Sequence, residues 1–235
     1  MINDKYLKSI VKDAIQGMDI PGRKAPSKKI DEAYVVQTKK FDIKTEKLSD
    51  ETKSAHQDLM DGYVKSLNEV SARLDTADKN LANPNDSVFR QLKVDEAHNI
   101  NAAFLHGLYF GNIGSLNSQI TVDSLTYIRL ARDFGDFNNW QKDFIACALS
   151  SRNGWVVTCY NIFLKRYMNV VVDLHSNNIP FGSIPVIVVD CWEHAYFKDF
   201  STKRKDYVFA MMSEFDWQRI EERIQKAESI AKVMA

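Results

Sequence analysis

Asp190 and His194 lie four residues apart in PVIVVDCWEHAYF, where a run of β-branched residues ends in an acid. A carboxylate that closes an apolar strand is costly to bury unless a cation, a metal or a hydrogen-bond donor meets it. The plain reading of this spacing is an Asp–His hydrogen bond at a strand terminus; the sharper reading is a pair of metal ligands. His106, in NAAFLHGLYFGN, has apolar or small neighbours and points into packed surroundings whichever face it takes, as a satisfied core histidine also would. His56 precedes Met60 by four residues and Tyr63 by seven, which puts it on or beside an apolar helical stripe, exposed or half-buried. His175 follows VVD at a strand end, before the turn SNNIP, and His98, in the polar stretch DEAHN, reads as a surface residue. His56, His106, Asp190 and His194 together make a candidate set of three nitrogens and one oxygen. Imidazole suits zinc, copper, iron and nickel, and carboxylate suits harder ions. Residue types alone therefore leave open a redox iron or manganese site and a zinc hydrolase, although no general base for the hydrolase is apparent.

Several elements must position these side chains. Residues 1–17 read as a short amphipathic helix, and residues 18–47, with GMDIPGRKAPSKK, as a linker. Residues 1–40 hold nine Lys/Arg against five Asp/Glu, the composition of a solvated arm. A long helix starts near Ser49, a suitable N-cap, with Asp50 and Glu51 where the helix dipole favours anions. Met60, Tyr63, Leu67, Val70, Leu74, Ala77 and Leu81 form its core stripe. NPND at 83–86 breaks the pattern, and a second helix over about 87–110 predicts an antiparallel hairpin. Further helices are expected over 123–133 and 136–150. Three antiparallel strands follow in WVVTCYN, RYMNVVVDL and PVIVVDCW, and two helices close the chain near 199–212 and 216–233. The class is α+β: a helical hairpin, then an α/β domain with a three-stranded antiparallel sheet and C-terminal helices. The expected division is an arm (1–44), a hairpin domain (45–115) and the α/β domain (116–235).

The chain has 235 residues with 45% hydrophobic and 26% charged side chains, enough apolar matter for a sizeable core. Thirty-one basic residues balance thirty-one acidic ones, so no net field attracts nucleic acid or an anionic membrane. No apolar run approaches the ~18 residues of a membrane span, and the first residues lack the apolar stretch of a secretory signal. Cys147, Cys159 and Cys191 are too few and too odd in number for a disulfide framework, which suggests a reducing, cytoplasmic setting.

DCWEHAYFKDF followed by RKDY closely resembles the C-terminal signature of the iron/manganese superoxide dismutases, D-x-W-E-H-A-Y/F-Y with a later R-x-D-Y. ARDFGDFNNWQKDFIACALSSRNGW resembles the R-D-F-G-x-F…G-S-G-W run of that family, and NINAAFLHGLYF its segment around the second ligand histidine. LSDETKSAHQDLMDGYVKSLNEV is similar to its first ligand helix, so the likeness extends over about residues 45–230. The resemblance implies one iron or manganese ion per subunit, held by His56, His106, Asp190, His194 and a solvent molecule, and the dismutation of superoxide to oxygen and hydrogen peroxide. It implies that His175, as in the histidine-type subgroup, hydrogen-bonds that solvent, with Tyr63 at the gateway and Trp155 and Trp192 around the ligands. It also implies a homodimer through the Glu193 region, where Glu193 reaches a ligand histidine of the partner.

The departures from the pattern carry expectations too. The family spaces its ligand and tyrosine by eight residues and this chain by seven, so either His56 or Tyr63 should be out of register by ~100°. Leu59 or Met60 stands near the place of a second histidine, Phe197 replaces its tyrosine partner, Ala102 holds the glutamine position, and Leu105 and Val157 replace an asparagine and a tryptophan. These changes predict a more apolar, wider pocket. A second reading makes the chain a structural subunit of a larger assembly, such as a virus particle, anchored by residues 1–44.

Overall fold

The computed structural model describes residues 33–113 and 118–234. The expected helix over 1–17 and the first half of the linker, 18–32, lie outside the described residues. Helix α1 (Asp50–Thr76) starts at Ser49, whose hydroxyl accepts from the Thr52 N–H. Met60, Val64, Leu67, Val70 and Leu74 bury its inner stripe. The stripe ends sooner than its spacing predicts: Ala77 caps the helix, and Leu81 lies exposed in a 3-10 turn over Lys79–Leu81. Helix α2 (Val88–Asn112) is capped by Ser87 and packs along α1 as the second arm of the hairpin.

Helices α3 (Leu125–Phe134) and α4 (Phe137–Ser150) follow, separated at Gly135, whose φ of +88° suits a residue without a side chain. Strands β1 (Gly154–Asn161), β2 (Arg166–Asp173) and β3 (Ser183–Asp190) form an antiparallel sheet in the order β2-β1-β3. At Gly154, a Cβ would come within 2.0 Å of the Val172 carbonyl oxygen, so the β1–β2 approach requires glycine there. The predicted helix over 199–212 is two pieces, α5 (Phe197–Phe200) and α6 (Arg204–Ser213), parted by a turn in which Ser201 has φ +52°. Helix α7 (Trp217–Met234) buries Ile220, Ile224, Ala227 and Ala231. No helix among the described residues is long and apolar enough to cross a membrane.

Strand β3 lies at a sheet edge, yet Val186 to Asp190 are all fully buried. Helices α2 and α7 cover that edge. The Asn112 amide donates to the Val188 carbonyl at 3.2 Å, and Arg223 donates to the Val186 carbonyl at 3.4 Å. Side-chain donors thus replace a neighbouring strand.

The described part of the arm, residues 33–44, does not stand off in solvent. The Tyr34 N–H donates to Ser71 Oγ, and its hydroxyl donates to Glu96 at 3.0 Å. Val36 exchanges two hydrogen bonds with the Asn68 amide, of 2.7 and 3.0 Å. The Phe41 N–H donates to Gln57, and Thr45 bonds the buried Glu214 carboxylate at the end of α6. This segment straps the hairpin because backbone groups laid against a helix find side-chain partners on its surface.

Candidate metal centre

Both halves of the chain contribute to one buried cluster. His56 lies on the second turn of α1, His106 near the end of α2, Asp190 at the last position of β3, and His194 in the 3-10 turn Glu193–Ala195. One ligand atom from each lies within 4.8 Å of the others. The Nε2 atoms of His56, His194 and His106 stand 3.0, 3.1 and 3.6 Å from Asp190 Oδ2. Asp190 Oδ1 accepts from the Trp192 N–H at 2.9 Å, which fixes the carboxylate plane. The sheet register sets Trp155 opposite Asp190, and the Trp155 ring meets His106 edge-on.

The tautomer of His106 can be read from its partner. Its Nδ1 is 2.6 Å from the Ala102 carbonyl oxygen, which only accepts, so Nδ1 carries the proton. Burial pushes the pKa of His106 down to about 3, against the pull of Asp190, so the ring is neutral and Nε2 presents a lone pair. That lone pair is buried and has no hydrogen-bond partner among the described residues. It faces the lone pairs of Asp190 Oδ2 at 3.6 Å, an arrangement that a cation between them relieves. Burial likewise lowers the pKa of His56. Burial pulls the Asp190 carboxyl upward, but the facing His194 and His56 outweigh it and hold it below the usual carboxylate range. Neutral imidazoles and an anionic carboxylate are the protonation states in which these groups bind a metal.

Beside this cluster stands a second, directed set. The Trp155 indole N–H donates to His175 Nδ1 at 3.0 Å. An indole never accepts, so the single proton of a neutral His175 is on Nε2, 3.1 Å from the Tyr63 hydroxyl oxygen. Burial, then the neighbouring His98, brings the pKa of His175 down to about 4 and keeps the ring neutral. Nε2–H therefore donates to Tyr63, whose own hydrogen is left free for another acceptor. The Asp173 carboxylate positions the turn that carries His175 by accepting from the Arg152 N–H, and Leu174 adopts φ +55° within it. Trp192 stacks on both His175 and His194.

Two expectations need correction. The shortened spacing does not turn His56 or Tyr63 away. Seven residues at ~100° each fall only ~20° short of two full turns, so an unbroken α-helix carries both to one face. His56 joins the cluster, and Tyr63 packs on His106 and His175. His98 is not a plain surface residue: it is half-buried, with its ring 4.7 Å from that of His175 and 6.0 Å from that of Tyr63. The polar stretch around it obscured this position. The one available signal is its place eight residues before His106, two turns back and ~80° round the same helix.

Comparison with known proteins gives a consistent result. Residues 125–223 match the family model for the C-terminal domain of the iron/manganese superoxide dismutases. The chain is 34% identical over 169 residues to an iron superoxide dismutase of Aquifex aeolicus, covering 71% of this chain and 78% of that protein. The iron enzyme of Aquifex pyrophilus gives the same figures. A manganese superoxide dismutase of Halobacterium salinarum is 29% identical over 188 residues, 80% of this chain and 92% of its own.

Proposed function

The chain belongs to the iron/manganese superoxide dismutase family, and on that premise we propose that it dismutes superoxide to oxygen and hydrogen peroxide at one iron or manganese ion held by His56, His106, Asp190 and His194. When bound, the ion supplies a one-electron couple that superoxide reduces in one half of the cycle and oxidises in the other. The chain does the rest. Three neutral imidazoles and one carboxylate compensate a divalent or trivalent ion only in part, so the centre attracts a small anion. Trp155 and Trp192 wall it with rings that exclude bulk water. Peroxide leaves only after taking up two protons. The Tyr63 hydroxyl, with its oxygen occupied by the His175 N–H, is oriented to give one of them. Trp155 holds His175 in the tautomer that makes this orientation possible.

The observation that carries the reading is the buried lone pair of His106, which has no donor among the described residues and converges with the other three ligand atoms on one point. Elemental analysis coupled to a superoxide-removal assay tests it. The expected result is close to one iron or manganese per chain with activity that follows metal content. Zinc alone, or inactive protein loaded with iron or manganese, overturns it.

A homodimer fits the same site. His194 Nδ1 takes no hydrogen bond among the described residues, and its side chain is 28% exposed. The Glu193 carboxylate beside it is also without a partner among the described residues. In a two-fold pair, Glu193 of the partner subunit would accept from that Nδ1–H and fix the imidazole. Nothing favours the assembly-subunit reading, because residues 33–45 are held by this chain's own hairpin and by Glu214.

A further inference from the structure

A third polar side chain, that of His98, stands beside Tyr63 and His175. We infer that His98 is a functional residue of the site, presenting an N–H to the small anion that passes toward the ligand cluster; this rests on the dismutase reading above. Three observations carry it. The His98 ring stands edge-on to His175 at 71° and to Tyr63 at 63°, so it touches both members of the directed pair. It is half-buried, as Tyr63 is, where His175 is fully buried, so His98 and Tyr63 lie nearer solvent than His175. Neither ring nitrogen has a hydrogen-bond partner among the described residues, so its donor is uncommitted. An imidazole keeps at least one N–H in either tautomer and in both charge states.

The acids nearest along α2 do not compete for it. Glu96 takes the Tyr34 hydroxyl and Lys93, and Asp95 takes the Gln91 amide. The titratable groups that face His98 from packed elements are thus Tyr63 on α1 and His175 after β2. The Tyr63 oxygen already accepts from the His175 N–H and His175 Nδ1 from the Trp155 N–H, so neither takes the His98 donor. An anion arriving between His98 and Tyr63 meets two free donors, one on each side of its path.

The test uses His98→Phe, which keeps a ring in place and removes the donor, and His98→Gln, which restores a donor without the ring. Azide serves as the anion probe, followed by the absorbance of the metal-loaded protein. In metal-free protein, 15N spectra of the histidine rings report whether His175 keeps its tautomer. H98F should keep full metal content and the His175 tautomer, bind azide about two- to tenfold more weakly, and raise KM with little change in kcat. H98Q should recover part of the affinity. Native azide affinity and KM in H98F overturn the inference, and so does loss of metal or of the His175 tautomer in both variants, which would make the ring a packing residue only. If the native loaded protein neither binds azide nor removes superoxide, the dismutase reading falls and this one with it. If it does both and H98F matches it, this inference alone falls.

Discussion

The hairpin and the sheet half each give two residues to the cluster, by different means. His56 and His106 sit inside long helices, where backbone groups are already paired and packing aims the side chain, joined for His106 by its bond to the Ala102 carbonyl. Asp190, His194 and His175 sit where regular structure stops: the end of β3, a 3-10 turn, and a turn holding two left-handed residues, Leu174 and Asn178. A mid-helix residue depends on the two helices staying in contact. A residue at an element's end depends on the local turn, and small backbone changes there move it directly.

The sharpest way to break this contrast is to remove one member from each half. Asp190→Ala and His106→Ala should each abolish retention of iron or manganese and all superoxide removal, measured by elemental analysis and stopped flow. Metal kept at native level in either variant would show that the halves do not share one ion.

Gly154→Ala probes the dependence on element ends. The added Cβ meets backbone rather than a yielding side chain, so β1 and β2 must part. A loss of about 3 kcal/mol or more in urea unfolding is expected, with metal lost alongside because Trp155 and Asp190 pair in the next register position. A matched alanine at an exposed helical position, Gly62, where a Cβ meets nothing within 4 Å, should be neutral or slightly stabilising.

His175→Ala should keep the metal and lower turnover by about 10- to 100-fold, the usual cost of losing a residue that orients a metal site's partners. Unchanged turnover would remove His175 from the proton path. Tyr63→Phe should keep the metal and lower turnover by a similar factor, because it removes the hydroxyl that gives the proton and leaves the His175 N–H without its acceptor.

The last effect is in pH. His106 and His175 titrate in the folded chain at about 3 and about 4, below the ~6.5 of an unfolded histidine. Between these values the unfolded chain binds more protons than the folded one. Stability of the metal-free protein is therefore full above ~6.5 and falls as pH drops toward 4. Urea midpoints at pH 7 and pH 5 check the sign; a midpoint that rises on acidification contradicts it.

The contrast between the halves also marks what the chain's letters reveal. The α+β order, the hairpin and the three strands follow from periodicity, because a 3.6-residue or two-residue repeat of apolar side chains is what these elements bury. Asp190 and His194 stand out because an acid at the end of VIVV is anomalous. His56 and His106 do not stand out, since a histidine on a helix face looks alike whether it packs or ligates. Their convergence is a long-range property of packing that no local window holds. The break at Ser201 is not legible because a left-handed serine has no compositional mark, nor is the setting of His98, whose neighbours in sequence are solvated while its neighbours in space are aromatic.

The side-chain donors along β3 have a consequence for how copies of this chain meet. With Asn112 and Arg223 seated on the outward carbonyls of Val188 and Val186, no foreign segment can add itself to that border of the sheet. The strand that ends in Asp190 is sealed against amyloid-like templating even when metal is lost.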